Sequence, residues 1–194
     1  MGQVSFQLKP EIAAGLYLLD QYRAKGYAAM VRKLKTAPAS LTDGLSAVCL
    51  DVRDAAMHGL GVGTTRDMSS VITAVFVPGW RCRAYTLGQK VNIWRGMSFS
   101  RNFLWNDFVK TDLTTQIHAL DLPLHFFTGQ YGFTANQGLA RAFFDQIKSP
   151  MKGFYTFDKS PHSPLFEEPR RARRILRQDV LTQTNRRADG QRAG

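Results

Sequence analysis

His162 is the residue whose surroundings best suit proton transfer. It stands in Lys159-Ser-Pro-His-Ser-Pro164, a loop stiffened by two prolines, and an imidazole titrates near neutral pH. A surface or partly packed histidine is the plainer reading of the same loop. His125 falls inside a short apolar run, and His58 and His118 fall at helix ends, where structural roles are expected. Serine chemistry has no local motif. Gly96-Met-Ser98-Phe-Ser100 approaches the Gly-x-Ser-x-Gly of a nucleophile elbow but has serine in place of the second glycine and follows a helix, so it reads as a turn. Gly59, Gly61 and Gly63 superficially resemble a dinucleotide-binding loop, yet no third glycine follows at the right spacing and no strand precedes them; a flexible linker is expected. Neither a glycine-rich phosphate loop nor an HExxH helix occurs. Cys49 and Cys82 belong to no CxxC or Cys/His set, which argues against a metal site or a disulfide framework. No cofactor is expected.

The elements that must position these residues fall into two kinds. Up to about residue 120 the chain reads as helices with short breaks. Ile12, Leu16, Leu19 and Tyr22 or Arg23 recur at helical steps with Gly26 as the stop, and a second helix fits Tyr27 to Thr36. Thr42-Asp43 would cap a third, with Leu45, Val48, Cys49, Val52 and Ala56 as its apolar stripe. Asp67 would cap a helix that Pro78-Gly79 ends, and Thr86 another carrying Leu87, Val91 and Trp94. Phe103, Leu104, Phe108 and Val109 have helical spacing too. After Asp121 the pattern becomes β-α-β-α: a strand from Pro123 to Thr128 ended by Gly129, a helix from Thr134 to Lys148, a strand from Lys152 to Phe157, and a helix from Phe166 to Val180. Such a unit runs its two strands parallel, so the loops 129–134 and 158–164 emerge at one edge, where ligand chemistry gathers in open α/β sheets. Residues 1–120 are thus expected to be a helical cap or lid, 121–181 an αβ part, and 182–194 a disordered basic tail.

Length and composition suit a folded chain: 194 residues with 44% hydrophobic and 11% aromatic side chains exclude a disordered or collagen-like polypeptide. No apolar run is long enough for a membrane span, and Met1 to Lys9 lacks signal-peptide order, so a cytoplasmic protein with no membrane partner is expected. Much of the formal charge of +11 sits in Arg170 to Gly194, where eight arginines face Asp179 and Asp189. Trp80, Tyr85, Trp94, Phe99, Phe103 and Trp105 lie among Arg81, Arg83, Arg95 and Arg101, a pattern shared by base-stacking surfaces and by arginine-faced amphipathic helices.

The stretch from Leu124 to Leu181, with Phe-Thr-Gly129, Phe133-Thr134, Leu139-Ala140, Phe144, Gly153-Phe-Tyr-Thr-Phe157 and His162-Ser-Pro-Leu-Phe-Glu-Glu-Pro169, resembles the C-terminal part of α/β-hydrolase-fold enzymes, most nearly the proline iminopeptidase-like branch. Gly61-Val-Gly-Thr-Thr-Arg66, Cys82-Arg-Ala-Tyr-Thr86 and Trp94-Arg-Gly96 are similar to that group's helical cap. The resemblance implies an α/β fold consisting of a helical cap and the last β-α-β-α of a hydrolase sheet, with the N-terminal half of the sheet absent. It also implies hydrolysis of a small peptide, amide or ester by a serine, a histidine and an acid. His162 matches the histidine. The acid belongs in Gly129-Gln-Tyr-Gly132-Phe133-Thr134, where its position is Gly132. Phe133, and Trp105 from the lid, would line the substrate cleft. The elbow serine would precede residue 1, so the resemblance leads one to expect a truncated chain, inactive alone. Two alternatives follow: one half of a split hydrolase completed by an N-terminal partner through the open sheet edge, or a non-catalytic basic module binding nucleic acid through the tail arginines and lid aromatics.

Overall fold

A computed structural model describes residues 8–37, 46–104, 111–132 and 137–190. Among these the chain is mixed α/β: helices with one small, two-stranded parallel sheet. It divides into two compact units, a helical one from residues 8–56 and 68–111 and an αβ one from residues 57–67 and 112–190. The short segment 57–67 therefore belongs with the sheet, not with the helices that flank it in sequence.

In the helical unit α1 (Leu8–Ala24) packs on α2 (Ala28–Thr36). Gly26 ends α1 in the left-handed region at φ +73°, and the Gly26 and Tyr27 amides donate back to the carbonyls of Arg23 and Tyr22. The buried face is Ala14, Leu18 and Tyr22, whereas Leu16 is 58% exposed. The expected stripe thus meets the buried face at Tyr22 and departs from it at Leu16. Tyr22 donates to the carbonyl of Ala56, at 2.9 Å, in α3 (Ala47–Gly59), where Val48 is 63% exposed and Cys49 and Ala56 are buried. Pro78-Gly79 does not end the next helix. A widened π-helical turn, Ile72–Phe76, leads into α4 (Val77–Arg81), placing Pro78 in a first turn, where its missing N–H is tolerated. α5 (Leu87–Phe103) opens on a capping box in which Thr86 Oγ1 accepts from the Gln89 amide at 3.3 Å and Gln89 Oε1 accepts from the Thr86 amide at 2.8 Å.

In the αβ unit a short α6 (Leu113–Gln116) precedes β1 (Leu124–Gly129), α7 (Gln137–Gln146) and β2 (Lys152–Phe157). The strands are parallel, in register from Leu124 opposite Lys152 to Gly129 opposite Phe157. Phe126 and Phe154 project to one face, where Phe143 and Phe144 of α7 meet them. Lys152 caps the end of α7, donating to the carbonyls of Phe144 at 2.6 Å and Ile147 at 2.9 Å. On the other face Phe127, Tyr155 and Phe157 pack with Ala172, Ile175 and Ala188. Ala172 and Ile175 belong to α9 (Pro169–Ile175), which continues as a π-helical turn, Leu176–Val180. A four-residue α8 (Pro164–Glu167) precedes it, and Pro169 separates the two because the residue before a proline avoids the helical region.

Both faces of the sheet are covered, by α7 on one side and by α9 with Ala188 on the other. One expectation needs correction here. Residues 182–190 are not a disordered tail. Asn185 Nδ2 donates to the Lys152 carbonyl at 2.8 Å, the Asp189 amide donates to the Phe154 carbonyl at 2.8 Å, and Asp189 Oδ2 accepts from the Thr156 amide at 2.9 Å. These bonds cover the outer edge of β2, so the segment acts as an irregular third strand. The main-chain groups of His125 and Phe127, which face away from β2, meet no partner among the described residues. Among the described residues one edge is closed and the other open.

Candidate active site at the carboxyl ends of the strands

The loops after β1 and β2 emerge side by side and are locked together. The Gln130 amide donates to the Phe157 carbonyl at 2.9 Å, and the Tyr131 amide to the Ser160 carbonyl at 3.2 Å. A Cβ on Gly129 would stand within 2.6 Å of the Pro161 carbonyl carbon and closer still to two carbonyl oxygens, so only glycine fits between the loops. Glu168 Oε1 accepts from the Lys159 amide at 3.0 Å and from Ser160 Oγ at 2.9 Å, fixing the second loop from below. Ser160, Pro161 and Ser163 are buried, and His162 between them is half-buried.

His162 therefore sits where expected, on a braced loop at the carboxyl end of β2. Gly132 is buried in the turn after β1, its amide donating to the Gly129 carbonyl at 3.2 Å, and it brings no carboxylate. Asp158 in the histidine's own loop is committed to Arg171, Oδ2 to Nη1 at 2.8 Å. Phe133 and Trp105 lie outside the described residues.

Three residues beside these loops escaped sequence reasoning. The Arg66 guanidinium stacks on the Tyr131 ring at 3.9 Å, and the Arg66 amide donates to Glu167 Oε1 at 2.7 Å. Burial raises the Glu167 carboxyl above its ordinary value, against the lowering effect of the Arg66 amide. Segment 57–67 thereby braces the loops that follow both strands. Its glycines are not a flexible linker. Gly61, at φ +66°, ends α3 as the amides of Gly61 and Val62 donate to the His58 and Met57 carbonyls, and a Cβ on Gly63 would press the His58 ring at 2.8 Å.

His58 and His125 have structural partners. His58 Nε2 accepts from the Thr64 amide at 3.2 Å. Tyr155 donates its hydroxyl proton to Asp179 at 2.9 Å, so His125, 3.1 Å away through Nδ1, must be the donor to Tyr155. Burial lowers the His125 pKa, opposed in part by the Asp179 charge, and burial, followed by the Asp179 hydrogen bond and charge, raises that of Tyr155.

No protein-family model and no solved structure matches the chain. A protein of Bacillus subtilis strain 168 described as "Probable aminopeptidase YbaC" is 23% identical over 74 residues, which cover 38% of this chain. The match spans 23% of that relative's length. No helix among the described residues is long and apolar enough to cross a membrane.

Proposed function

We propose that this chain carries the histidine-bearing part of an α/β-hydrolase-like site acting on peptide, amide or ester bonds, in the manner of proline iminopeptidase-like enzymes. The observation that carries the reading is the pair of interlocked loops at the carboxyl ends of parallel strands, with His162 half-buried in the second. The similarity to a protein described as an aminopeptidase supports it. In that role the imidazole takes the proton of an attacking hydroxyl and returns it to the leaving group.

Position 132, which the resemblance assigns to the acid, is glycine, so the first loop brings no carboxylate there. The sequence holds no Gly-x-Ser-x-Gly elbow, and Ser160 is buried against Glu168. A Gly-x-Ser-x-Gly elbow outside residues 1–194, in the same or a second polypeptide, supplies the nucleophile, its sheet joining the edge of β1 that meets no partner among the described residues. A serine-directed fluorophosphonate probe tests both statements. The purified chain stays unlabelled, whereas its complex with a co-purifying Gly-x-Ser-x-Gly protein is labelled and hydrolyses an aminoacyl anilide in a His162-dependent way. Labelling of any serine in the purified chain, or activity unchanged by His162→Ala, overturns the reading.

A further inference from the structure

The C-terminal arginines form the two walls of a groove. Arg170, Arg171, Arg174 and Arg177 lie along α9 and the π-helical turn after it, and Arg186 and Arg187 stand on the returning segment. Between them is an open cavity of about 1300 Å³. Asp179 sets the spacing of the walls. Its carboxylate is fully buried and accepts from Tyr155 Oη at 2.9 Å, Thr184 Oγ1 at 3.1 Å and the Arg187 amide at 2.8 Å. The only acidic residue lining the groove is thus engaged with fixed donors.

Two of the six guanidinium groups have side-chain partners. Arg171 pairs with Asp158, and Arg187 Nε donates to Gln178. Arg170, Arg174, Arg177 and Arg186 meet no carboxylate among the described residues. Arg170, Arg174 and Arg177 share one helical face, an arrangement in which like charges destabilise the helix. A bound polyanion relieves that repulsion. Guanidinium forks on two facing walls match a chain of phosphates, each taken bidentately. No aromatic side chain among the described residues lines the groove, so these offer no platform for stacking bases. The aromatic residues interleaved with arginine, Trp80 to Phe103, belong to the helical unit instead.

We propose that this groove binds the sugar-phosphate backbone of nucleic acid without reading base sequence. It involves none of the groups assigned to hydrolysis, so the two readings stand or fall separately. The test is fluorescence anisotropy of the full chain with a labelled DNA duplex of about 20 base pairs. Each neutralised phosphate contributes about −0.9 to the slope of log affinity against log salt, so the four unpaired arginines predict a slope of about −3.6. Arg174→Gln with Arg177→Gln weakens binding about tenfold or more and lowers the slope by about 1.8, with thermal stability no worse than that of the parent. Arg81→Gln with Arg95→Gln, the same loss of charge in the helical unit, leaves affinity within about twofold. Equal losses from the two pairs would show attraction to bulk charge, and would overturn the groove. So would a parent chain that fails to bind at low salt, a slope shallower than about −2, or displacement of the duplex by polyglutamate at equal charge, which would assign the groove to acidic protein.

Discussion

Gly129 decides whether the two loops of the candidate site can meet, because its missing side chain is what lets the Ser160 and Pro161 carbonyls pass across the end of β1. Gly129→Ala puts a methyl group into main-chain oxygens of a loop whose Lys159 amide and Ser160 hydroxyl are held by Glu168, and an overpacked site of this kind costs about 3 kcal/mol. The expected outcome is a lower urea midpoint with an unchanged m-value. His125 gives a second measurable consequence at this scale. Its folded pKa lies below the ordinary value of about 6.5 because burial disfavours the imidazolium. Its stabilising contribution is therefore fully present above that ordinary value and is lost as pH falls through the lowered folded one. Glu167, whose pKa burial raises, contributes in the opposite sense in acid, so the comparison must hold it constant. Parent and His125→Gln should differ in the pH dependence of their urea midpoints between about pH 7.5 and 5, the parent losing more on acidification. Parallel curves would show that this imidazole does not titrate with folding.

Helix ends and strand positions were legible in the sequence where the signal is local. Gly26 stops α1, Thr86 with Gln89 opens α5, and both strands lie between glycine or proline punctuation. Thr86→Ala removes the acceptor for the Gln89 amide and should cost about 1 kcal/mol, visible as faster amide exchange in the first turn of α5. Signals that depend on what packs against an element were not legible. Leu16 and Val48 fit the helical stripes by spacing, yet only part of each stripe is covered, Tyr22 in α1 and Cys49 and Ala56 in α3. Gly61 and Gly63 resembled a linker because nothing nearby in sequence shows that they fold over His58. Gly61→Ala, forced to hold φ near +66° with the Arg66 carbonyl 3.0 Å from its new methyl, should cost about 1–2 kcal/mol. That loss would also loosen Arg66, which braces Tyr131 and Glu167. The same limit hid those three residues. The His162 loop was marked by its own prolines, whereas residues 66, 131 and 167 meet only through the fold.

For the molecule as a whole the balance of the sheet edges matters most. Asn185 and Asp189 close the outer edge of β2, while Thr184 and the Arg187 amide satisfy Asp179, so the last ten described residues anchor the αβ unit although their composition is that of a frayed terminus. A chain ending at Leu181 would lose all of these bonds at once. Main-chain groups of Lys152, Phe154 and Thr156 would open to solvent, Ala188 would leave the core beside Tyr155 and Phe157, and Asp179 would keep only Tyr155 among these donors. With about 1 kcal/mol for each hydrogen bond and more for those to a charged acceptor, the loss exceeds about 3 kcal/mol. Both edges of a two-stranded sheet would then be free to pair with other copies. Size-exclusion chromatography and urea unfolding should show the shortened chain as less stable and associating with rising concentration. An unchanged midpoint and a monomer at high concentration would mean that the returning segment carries no part of the fold's stability. Its sole role would then be to hold Arg186 and Arg187 opposite the arginine face of α9.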